Sequence, residues 1–264
     1  MELSFYKYQG TGNDFIMVDN RTNKLSKNNT NLINRLCDRK FGIGADGLIL
    51  LEEPEAEGDD FKMVYFNADG NESSMCGNGG RCIVAFAEFL GIIKKEAAFT
   101  AIDGFHEAVI DNDLISLKMS DVDRVEEKTD SFFLNTGSPH HVIFTDKIDE
   151  IDIKKVGAAI RYSEEYNSIG GTNVNFVEQL DKVSFKVRTY ERGVEDETLS
   201  CGTGVTAVAL AAFAAGKVNT TTVHLKTPGG RLAVSFDSRE VSFRNIWLTG
   251  PAVQVFKGVI ECKL

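Results

Sequence analysis

The sequence lacks any long uninterrupted hydrophobic stretch. Its longest apolar run extends from Val205 to Ala215, with Thr206 as the one interruption, which is too short to span a bilayer. The first seven residues also lack the basic region and apolar run of a secretory signal. These absences predict a soluble, cytoplasmic protein that does not enter a membrane.

Clusters of positive charge are missing too. The chain has 29 Lys and Arg against 39 Asp and Glu, which gives a formal net charge of −10, and its basic residues are dispersed. Nucleic acids and anionic membrane surfaces attract proteins with the opposite pattern. We therefore expect a small-molecule substrate, with neither nucleic acid nor membrane as a partner.

The cysteines show neither a disulfide framework nor a zinc site. There are five of them, an odd number, and no Cys-x-x-Cys pair occurs. We expect them to be thiols in a reducing compartment. The sequence also offers no evident site for a metal or for an electron-accepting cofactor, so we expect neither.

The chain does contain one segment twice. The first copy runs from Val64 to Gly79 and the second from Thr189 to Gly204. In each copy a cysteine follows a tyrosine by eleven residues, precedes Gly-x-Gly and begins an apolar stretch that ends at a glycine fifteen residues later. This repeat predicts a duplicated unit with equivalent cysteines, Cys76 and Cys201, each at the start of a helix.

The pattern of strands and turns supports the duplication. Strand signals surround one apolar helix in each half, and the second half repeats the order of the first with an offset of about 125 residues. We predict an α+β fold of two pseudo-symmetric halves, each a mostly antiparallel, barrel-like sheet wrapped around a buried helix. The predicted domains are 1–119, completed by a returning strand in 252–264, and 120–251, with the charged segment 121–130 as the linker candidate.

A thiol at a helix N-terminus favours its thiolate form, because the helix dipole and the unpaired N–H groups of the first turn stabilise negative charge. Two such groups facing a common cleft could remove a proton from one face of a carbon and return one to the other. The stereocentre would then invert. The backbone N–H groups of Gly77, Asn78, Gly202 and Thr203 could receive a carboxylate of the substrate.

Structural roles compete with these assignments. Cys37, Cys82 and Cys262 are most simply packing residues. The adjacent His140 and His141 are poorly spaced for chelation, so hydrogen bonding or packing is the simpler role. Glu191 and Arg192 could form a surface ion pair, and Asn13, Asn67 and Asn173 could be turn formers. The segment Gly202 to Ala207 fits a dinucleotide-binding fingerprint, but no strand lies directly before it and no acidic residue follows about twenty positions later.

Five motifs together resemble the diaminopimelate epimerase family. They are Gly-Thr-Gly-Asn-Asp-Phe at 10–15, Phe-Asn-Ala-Asp-Gly at 66–70, Met-Cys-Gly-Asn-Gly-Gly-Arg at 75–81, Tyr-Glu-Arg-Gly at 190–193 and Ser-Cys-Gly-Thr-Gly at 200–204. The resemblance implies a dimeric, cofactor-independent isomerase that interconverts LL- and meso-2,6-diaminopimelate. That reaction belongs to lysine and peptidoglycan precursor synthesis.

The resemblance also assigns roles to individual positions. Cys76 and Cys201 match the two acid/base cysteines. Backbone donors to the reacting carboxylate match Gly77, Asn78, Gly202 and Thr203, and His140 matches a histidine near the catalytic pair. The positions that match substrate-holding residues are Asn13, Asn67, Asn173, Glu191 and Arg192, with Arg192 answering the distal carboxylate.

Two positions depart from the usual family pattern. Ser138 stands where many members have a substrate-contacting asparagine, and Gly47 stands where many have glutamine. Proline and hydroxyproline racemases share the two-cysteine plan, but they tend to have histidine where this chain has Asn78, and their substrate lacks a distal carboxylate. A redox thiol pair and a non-catalytic anion-binding module remain further alternatives.

Overall fold

The chain folds into two compact units. The computed structural model describes residues 2–23 and 25–262. The first unit comprises Met1–Leu117 together with Gly250–Leu264, and the second comprises Lys118–Thr249. Within the described residues, no helix is long and apolar enough to cross a membrane.

The described residues of the first unit form nine strands and two helices. Its strands are β1 (Glu2–Gly10), β2 (Asn13–Asp19), β3 (Gly47–Glu52), β4 (Phe61–Asn67), β5 (Glu72–Ser73), β6 (Glu96–Ala101), β7 (Gly104–Asp111), β8 (Leu114–Lys118, whose last residue belongs to the second unit) and β18 (Val253–Glu261). Its helices are α1 (Thr30–Cys37) and α2 (Gly77–Phe89).

Strand pairing in the first unit follows the order β18-β1-β2-β3-β4-β6-β7-β8. The pairs are antiparallel except β2 with β3 and β4 with β6, which follow crossover connections. The last strand returns to pair with the first, with Glu2 opposite Glu261. The helix α2 is buried along most of its length, so the sheet encloses it.

The second unit repeats this plan. Its strands are β9 (Glu126–Glu127), β10 (Phe132–Asn135), β11 (Pro139–Phe144), β12 (Asn173–Gln179), β13 (Ser184–Glu191), β14 (Asp196–Thr198), β15 (Thr222–Thr227), β16 (Gly230–Arg239) and β17 (Ser242–Pro251, which extends into the first unit). Its helices are α3 (Ile153–Arg161), α4 (Glu164–Asn167) and α5 (Gly202–Ala214), with a 3₁₀ turn at Ile148–Glu150.

The second sheet follows the order β9-β10-β11-β12-β13-β15-β16-β17. Parallel pairs again follow the crossovers, between β11 and β12 and between β13 and β15. The helix α5 is uncharged and buried over nearly all its residues, as expected of a helix apolar on every side. The predicted α+β class, with a barrel-like sheet around a central helix, is confirmed.

An amphipathic outer helix covers the opposite face of each sheet. In the first unit α1 buries Ile33 and Leu36 against β1 to β4. In the second unit α3 buries Ile153 against β12 and β13. Each unit therefore has an apolar layer outside the sheet and a central helix inside it, so alternate residues of β3, β4, β12 and β13 face different helices.

The charged segment 121–130 is not a loose linker. Val122 forms an isolated bridge with Phe243, and Arg244 donates to Asp123 at 2.7 Å. Glu126–Glu127 pairs with Phe132–Phe133 as β9. The prediction of a linker relied on high charge and missing periodicity, but short edge strands and ion-paired turns have the same sequence character.

The two tyrosines of the sequence repeat are not structurally equivalent. Tyr65 lies opposite Ile49, whose side chain faces α2, whereas Tyr190 lies opposite Val174 and packs in the cluster beneath α3. A shift of one residue along a strand moves a side chain to the other face. The structural counterpart of Tyr65 is therefore Thr189, and Cys201 follows Thr189 by twelve residues rather than eleven.

The packing of Tyr190 on α3 predicts the effect of filling Gly157. A Cβ at residue 157 would lie 2.4 Å from the Cβ of Tyr190. We expect Gly157→Ala to lower the free energy of unfolding by about 1–2 kcal/mol, although alanine favours a helix by about 1 kcal/mol over glycine. Denaturant unfolding would measure it, with the half-exposed neighbour Val156→Ala as a control that should change stability little. Equal or greater stability of Gly157→Ala would contradict the packing described.

Candidate active site

Cys76 caps the N-terminus of α2. Its backbone is extended, with φ −101° and ψ 146°, and its Sγ accepts a hydrogen bond from the Gly79 N–H at 3.2 Å. Its carbonyl accepts from the Gly80 N–H at 2.8 Å, the first turn of the helix. The sulfur therefore takes the position that a serine or aspartate oxygen commonly takes at a helix start, where negative charge is stabilised.

The side chain of Asn13 lies beside this sulfur in a defined orientation. Its Nδ2 donates to Oδ2 of Asp46 at 2.6 Å, so its Oδ1 points the other way. That oxygen lies 3.9 Å from the Cys76 Sγ and accepts from the Asn78 Nδ2 at 3.4 Å. Because a carboxylate can only accept hydrogen bonds, Asp46 fixes which end of the Asn13 amide faces the thiol.

Asp46 is itself held by a cluster of charges. Arg39 donates to Oδ1 of Asp46 at 2.7 Å and to both oxygens of Asp14, at 2.6 and 2.9 Å. Lys7 adds an ion pair with Asp14 at 2.7 Å and a hydrogen bond to the Gly44 carbonyl. Burial opposes ionisation of Asp14, but the hydrogen bonds from Arg39 and Lys7 outweigh it and hold its pKa well below the ordinary value.

A buried arginine organises the first turn of α2. Arg81 is fully buried and donates to the Gly77 carbonyl at 3.1 Å and to the Asn78 Oδ1 at 2.9 Å. Thr11 joins this group by accepting from Arg81 at 3.2 Å and donating to Asn78 at 3.3 Å. Gly77 and Asn78, the predicted backbone donors, are therefore in a turn whose side chains are tied together.

Asn67 occupies the exposed end of β4, opposite Gly47. A side chain at residue 47 has no room, because its Cβ would lie 2.5 Å from both the Phe66 carbonyl oxygen and the Tyr65 ring. The ring of Tyr65 thus fills the space that a side chain on β3 would need. Gly47 contributes no side-chain contact here.

Cys201 caps α5 as Cys76 caps α2. Its backbone is also extended, with φ −116° and ψ 113°, and its carbonyl accepts from the Val205 N–H at 3.0 Å. Its Sγ lies 3.4 Å from the Thr203 hydroxyl, and the Thr203 carbonyl accepts from Thr136 at 2.9 Å. Gly202 and Thr203 begin the helix beside a nearly buried sulfur.

A polar group at the ends of β11, β12 and β13 joins three further predicted residues. Asn173 donates to the Ser138 hydroxyl at 2.9 Å and to the Pro139 carbonyl at 3.0 Å. Its Oδ1 accepts from the backbone N–H of Arg192 at 2.9 Å, and the Arg192 guanidinium reaches Ser138 at 3.4 Å. Ser138 therefore connects the amide of Asn173 with the positive charge of Arg192.

The loop that carries Glu191 and Arg192 is pinned by side chains. Glu191 accepts a hydrogen bond from Thr198 at 2.8 Å, across the β13–β14 pair. Arg188 forms a two-point ion pair with Glu197, with both N–O distances at 2.7 Å. Paired, planar contacts of this kind restrict the loop more than single ones do.

His140 and His141 face opposite sides of β11. His140 is fully buried and receives a hydrogen bond from Asn175 at its Nδ1, 3.1 Å away. Burial, with the charge of Arg192 adding to it, lowers the pKa of His140 to about 3. His141 instead contacts the Tyr166 hydroxyl at 2.6 Å, and burial lowers its pKa to about 4. Both imidazoles are neutral at physiological pH.

Within each unit, the structure brings some of the predicted residues into contact with one another. Asn13 and Asn78 gather near Cys76, while Thr203 lies at Cys201 and Asn173, Ser138 and Arg192 form one hydrogen-bonded group. Sequence reasoning missed Asp46 and Asn175, which contact predicted residues on other elements. It also missed Arg81, which contacts Gly77 and Asn78 in its own helix. Arg81 had a signal, since a charged residue on an enclosed helix requires partners.

The residues that the structure describes include no group of three or more His, Cys, Asp and Glu side chains placed to hold a metal ion. The chemistry that the site can supply comes from thiols, amides, a guanidinium and helix N-termini.

Comparison with known proteins gives a consistent family. The model of the family described as diaminopimelate epimerase matches residues 5–120 and 132–255. A diaminopimelate epimerase from Flavobacterium psychrophilum is 57% identical over 259 residues, covering 98% of this chain and all of that protein. One from Aquifex aeolicus is 37% identical, covering 97% of each chain.

Solved structures with low sequence identity share the fold. A phenazine biosynthesis protein of the PhzF family from Bacillus anthracis has a TM-score of 0.78 at 13% identity, covering 99% of this chain and 100% of that one. A hydroxyproline epimerase from Agrobacterium vitis has a TM-score of 0.72 at 12% identity, covering 98% and 92%. The sequence relatives decide the family: the chain belongs to the diaminopimelate epimerases.

Proposed function

We propose that this protein interconverts LL- and meso-2,6-diaminopimelate by moving a proton at one α-carbon, with Cys76 and Cys201 as the acid/base pair. The observation that carries the proposal is the repeated geometry of the two cysteines. Each occupies the N-cap of a helix enclosed by its own sheet, in a chain of the diaminopimelate epimerase family. The reaction supplies meso-diaminopimelate for lysine and peptidoglycan precursor synthesis.

The two thiols exchange roles in one turnover. One cysteine, as thiolate, takes the α-proton and becomes a thiol, which leaves the electron pair delocalised into the α-carboxylate. The other, as thiol, gives its proton to the opposite face and becomes a thiolate. Protons balance and no electrons leave the substrate, so the step requires no metal or carbonyl cofactor. It does require that the two sulfurs flank the same carbon.

The helix starts stabilise the charge that develops in this step. When the α-proton leaves, negative charge spreads into the carboxylate, and N–H groups at a helix N-terminus bind it better than they bind the ground state. Gly77 and Asn78 begin α2, while Gly202 and Thr203 begin α5. We assign their N–H groups to the reacting carboxylate.

The polar group around Ser138 fits the distal end of the substrate. Arg192 presents a guanidinium for the second carboxylate, with Asn173 and Glu191 beside it as an amide and a carboxylate for the distal ammonium. Ser138 supplies a hydroxyl where many relatives have an amide. Because this hydroxyl already joins Asn173 and Arg192, it prepares their geometry as well as offering a hydrogen bond.

The charge cluster in the first unit has a role in this scheme. Asp46 orients Asn13 so that a carbonyl oxygen, an acceptor, faces the Cys76 sulfur. A thiol can donate to that oxygen, and a substrate ammonium can donate to it as well. We assign Asn13 and Asn67 to substrate binding, with Asp46 as the residue that positions Asn13.

Other activities of the two-cysteine plan fit this chain less well. The substrate of a proline-type racemase has no distal carboxylate to bind Arg192, and a hydroxyproline epimerase of the same fold is 12% identical to this chain. A redox pair would require a working disulfide between Cys76 and Cys201. A binding module would not require a thiol at either helix start.

We further propose a homodimer in the cytoplasm. The strand β18 pairs with β1 and presents exposed apolar side chains, Val253, Val255, Phe256 and Val259. A long edge strand with exposed apolar residues associates with other chains unless something covers it, and a second copy of the chain is the simplest cover. The cytoplasm is the compartment in which Cys76 and Cys201 would persist as thiols.

Isotope incorporation tests the reaction directly. When LL-diaminopimelate is incubated with the protein in deuterated water, we expect the meso form to appear with deuterium at one α-carbon. Neither pyridoxal phosphate nor metal should be needed. L-Proline and hydroxyproline, treated identically, should gain no deuterium. Epimerisation without deuterium from the solvent would exclude proton transfer through thiols. Turnover of proline but not of diaminopimelate would exclude diaminopimelate as the substrate.

The cysteines can be tested singly. Cys76→Ala and Cys201→Ala should each abolish epimerisation, because each variant retains a base or an acid on only one face of the carbon. A thiol reductant should leave the activity of the original protein unchanged or increase it. A redox pair would instead be inactivated, because the reductant would break its disulfide. Full turnover by either alanine variant would rule out the two-base mechanism. If both variants still bind substrate, the loss of activity lies in the proton-transfer step and not in binding.

Removal of the carboxylate that holds Asn13 should weaken catalysis. We expect Asp46→Ala to lower kcat/KM roughly tenfold or more, since a hydrogen bond to a charged group contributes about 1.5–3 kcal/mol. Asp19→Ala is the matched control: it breaks an ion pair with Arg21 in the same unit, at the other end of β2. Its kcat/KM should stay within about twofold of the original protein. Equal effects of the two variants would remove the assigned role of Asp46.

The apolar surface of β18 predicts the oligomeric state. Light scattering should give twice the chain mass of 29.1 kDa, and Val255→Glu with Val259→Glu should shift it toward the monomer. Val241→Glu, an exposed apolar residue at a turn of the second unit, should leave the mass unchanged. A wild-type monomer, or a double variant that stays dimeric, would exclude this interface.

A further inference from the structure

The inner faces of the two sheets differ in one respect. Strand registers place three pairs of residues at equivalent positions facing the central helices. The first unit has aromatic and aliphatic side chains at these positions, and the second has polar ones. The equivalent pairs are Phe15 with His140, Ile49 with Asn175, and Tyr65 with Thr189.

The polar trio forms one hydrogen-bonded chain. Thr189 donates to the Oδ1 of Asn175 at 3.0 Å. The Nδ2 of Asn175 donates to the His141 backbone carbonyl at 3.2 Å and approaches the His140 Nδ1 at 3.1 Å. A carbonyl oxygen can only accept, so the His141 carbonyl decides which end of the amide faces the histidine. The end that faces His140 is therefore the donor.

This orientation fixes the tautomer of His140. A ring nitrogen that receives an N–H from Asn175 must itself be unprotonated, so the proton of the neutral imidazole is on Nε2. His140 is fully buried, and among residues 2–23 and 25–262 its Nε2 has no hydrogen-bond partner. A buried N–H without an acceptor is costly, which indicates that an acceptor arrives there during function.

The acceptor can be located from the packing of α5. A Cβ at Gly204, in the first turn of that helix, would lie 2.5 Å from the Asn175 Oδ1 and 3.3 Å from the Cys201 Sγ. The amide that holds His140 and the sulfur of Cys201 thus approach the same glycine. His140 lies on the face of β11 that is turned toward α5, since its neighbour His141 packs on Tyr166 on the other side.

We infer that Asn175 is a positioning residue that holds His140 as a neutral Nε2–H donor, and that this N–H binds the Cys201 sulfur in its thiolate form. The second half of this inference rests on the proposed function. An N–H donor stabilises a thiolate relative to a thiol, whereas a proton-accepting nitrogen would favour the thiol. His140 in this tautomer cannot take the proton from Cys201, because its one free lone pair is already used by Asn175.

The apolar counterparts in the first unit make the two cysteines unequal. Gly79, the counterpart of Gly204, contacts Ile49 and Phe15, so Cys76 has no imidazole at the equivalent position. Its sulfur accepts the Gly79 N–H instead. The chain therefore stabilises negative charge on its two sulfurs by different donors, a backbone amide for Cys76 and a side-chain imidazole for Cys201.

The tautomer can be read without any variant. In protein labelled with ¹⁵N-histidine, long-range ¹H–¹⁵N correlation should show Nδ1 of His140 as the unprotonated nitrogen, far downfield, and Nε2 as the protonated one. The resonances of His140 are assigned by their absence in His140→Gln. Protonation at Nδ1, or at both nitrogens, in the original protein near neutral pH would overturn the inference.

Two variants then separate the roles of the neighbours. Asn175→Asp replaces the donor by an acceptor, so the His140 proton should move to Nδ1 and kcat should fall by about two orders of magnitude with little change in KM. Thr189→Val should leave the tautomer on Nε2, because the His141 carbonyl still orients the amide. An unchanged tautomer and kcat in folded Asn175→Asp would refute the positioning role, and thermal unfolding confirms which variants are folded.

The spectroscopic and kinetic results distinguish this inference from the proposed function. An Nε2–H tautomer in a protein that does not epimerise diaminopimelate would leave the arrangement of His140 intact and reject the reaction. Epimerisation by a protein whose His140 carries its proton on Nδ1 would support the reaction and reject the arrangement of His140.

Discussion

The structure depends on a sulfur at the start of a helix that a sheet encloses. A helix that is apolar on all sides can be buried, but its first N–H groups remain unsatisfied and need an acceptor. In α2 the Cys76 sulfur is one such acceptor, for the N–H of Gly79. The same constraint favours glycine as the third residue of each helix, where Gly79 and Gly204 lie. A Cβ at Gly79 or Gly204 would lie about 3.3 Å from the cysteine sulfur and close to the strand beneath it.

Strand periodicity explains how duplicated units acquire different chemistry. Alternate residues of β3, β4, β12 and β13 face a central helix, so a few substitutions on one face change the surroundings of a sulfur without disturbing the outer core. The first unit uses Phe15, Ile49 and Tyr65 there, and the ring of Tyr65 also occupies the space beside Gly47. The second uses His140, Asn175 and Thr189, whose buried polar atoms satisfy one another except at one imidazole nitrogen. Such a network is stable only when its members are paired. The Nε2 of His140, unpaired among the described residues, therefore marks the position where a further acceptor would bind.

Much of the fold could be predicted from the sequence, because the repeat, the turn residues and the apolar helices are local signals. Both central helices begin directly after the repeated cysteines, as the Cys-Gly-x-Gly motifs predict, and each is surrounded by strands. The apolar spacing of residues 149–161 predicts one amphipathic helix. The structure instead has a 3₁₀ turn followed by α3, because Ile151 is extended, and the short α4 comes after them. The equivalence of Tyr65 with Tyr190 was wrong, since an insertion of one residue in a loop is invisible to a motif but reverses the face of a strand residue.

Two of the residues that sequence reasoning missed act on another side chain that is far away in the sequence. Asp46 orients Asn13 from 33 residues away and Asn175 orients His140 from 35. Arg81 differs from them, because it contacts Gly77 and Asn78 within one turn of its own helix. Burial lowers the pKa of its guanidinium, and the oxygens that accept its hydrogen bonds are uncharged. A buried cation without a carboxylate is normally costly. Charge on Cys82, and to a smaller extent on Cys76, opposes the effect of burial without cancelling it, so the pKa of Arg81 lies below its ordinary value. The buried guanidinium is therefore held by neutral oxygens, two of which belong to the first turn of α2 and are fixed by it.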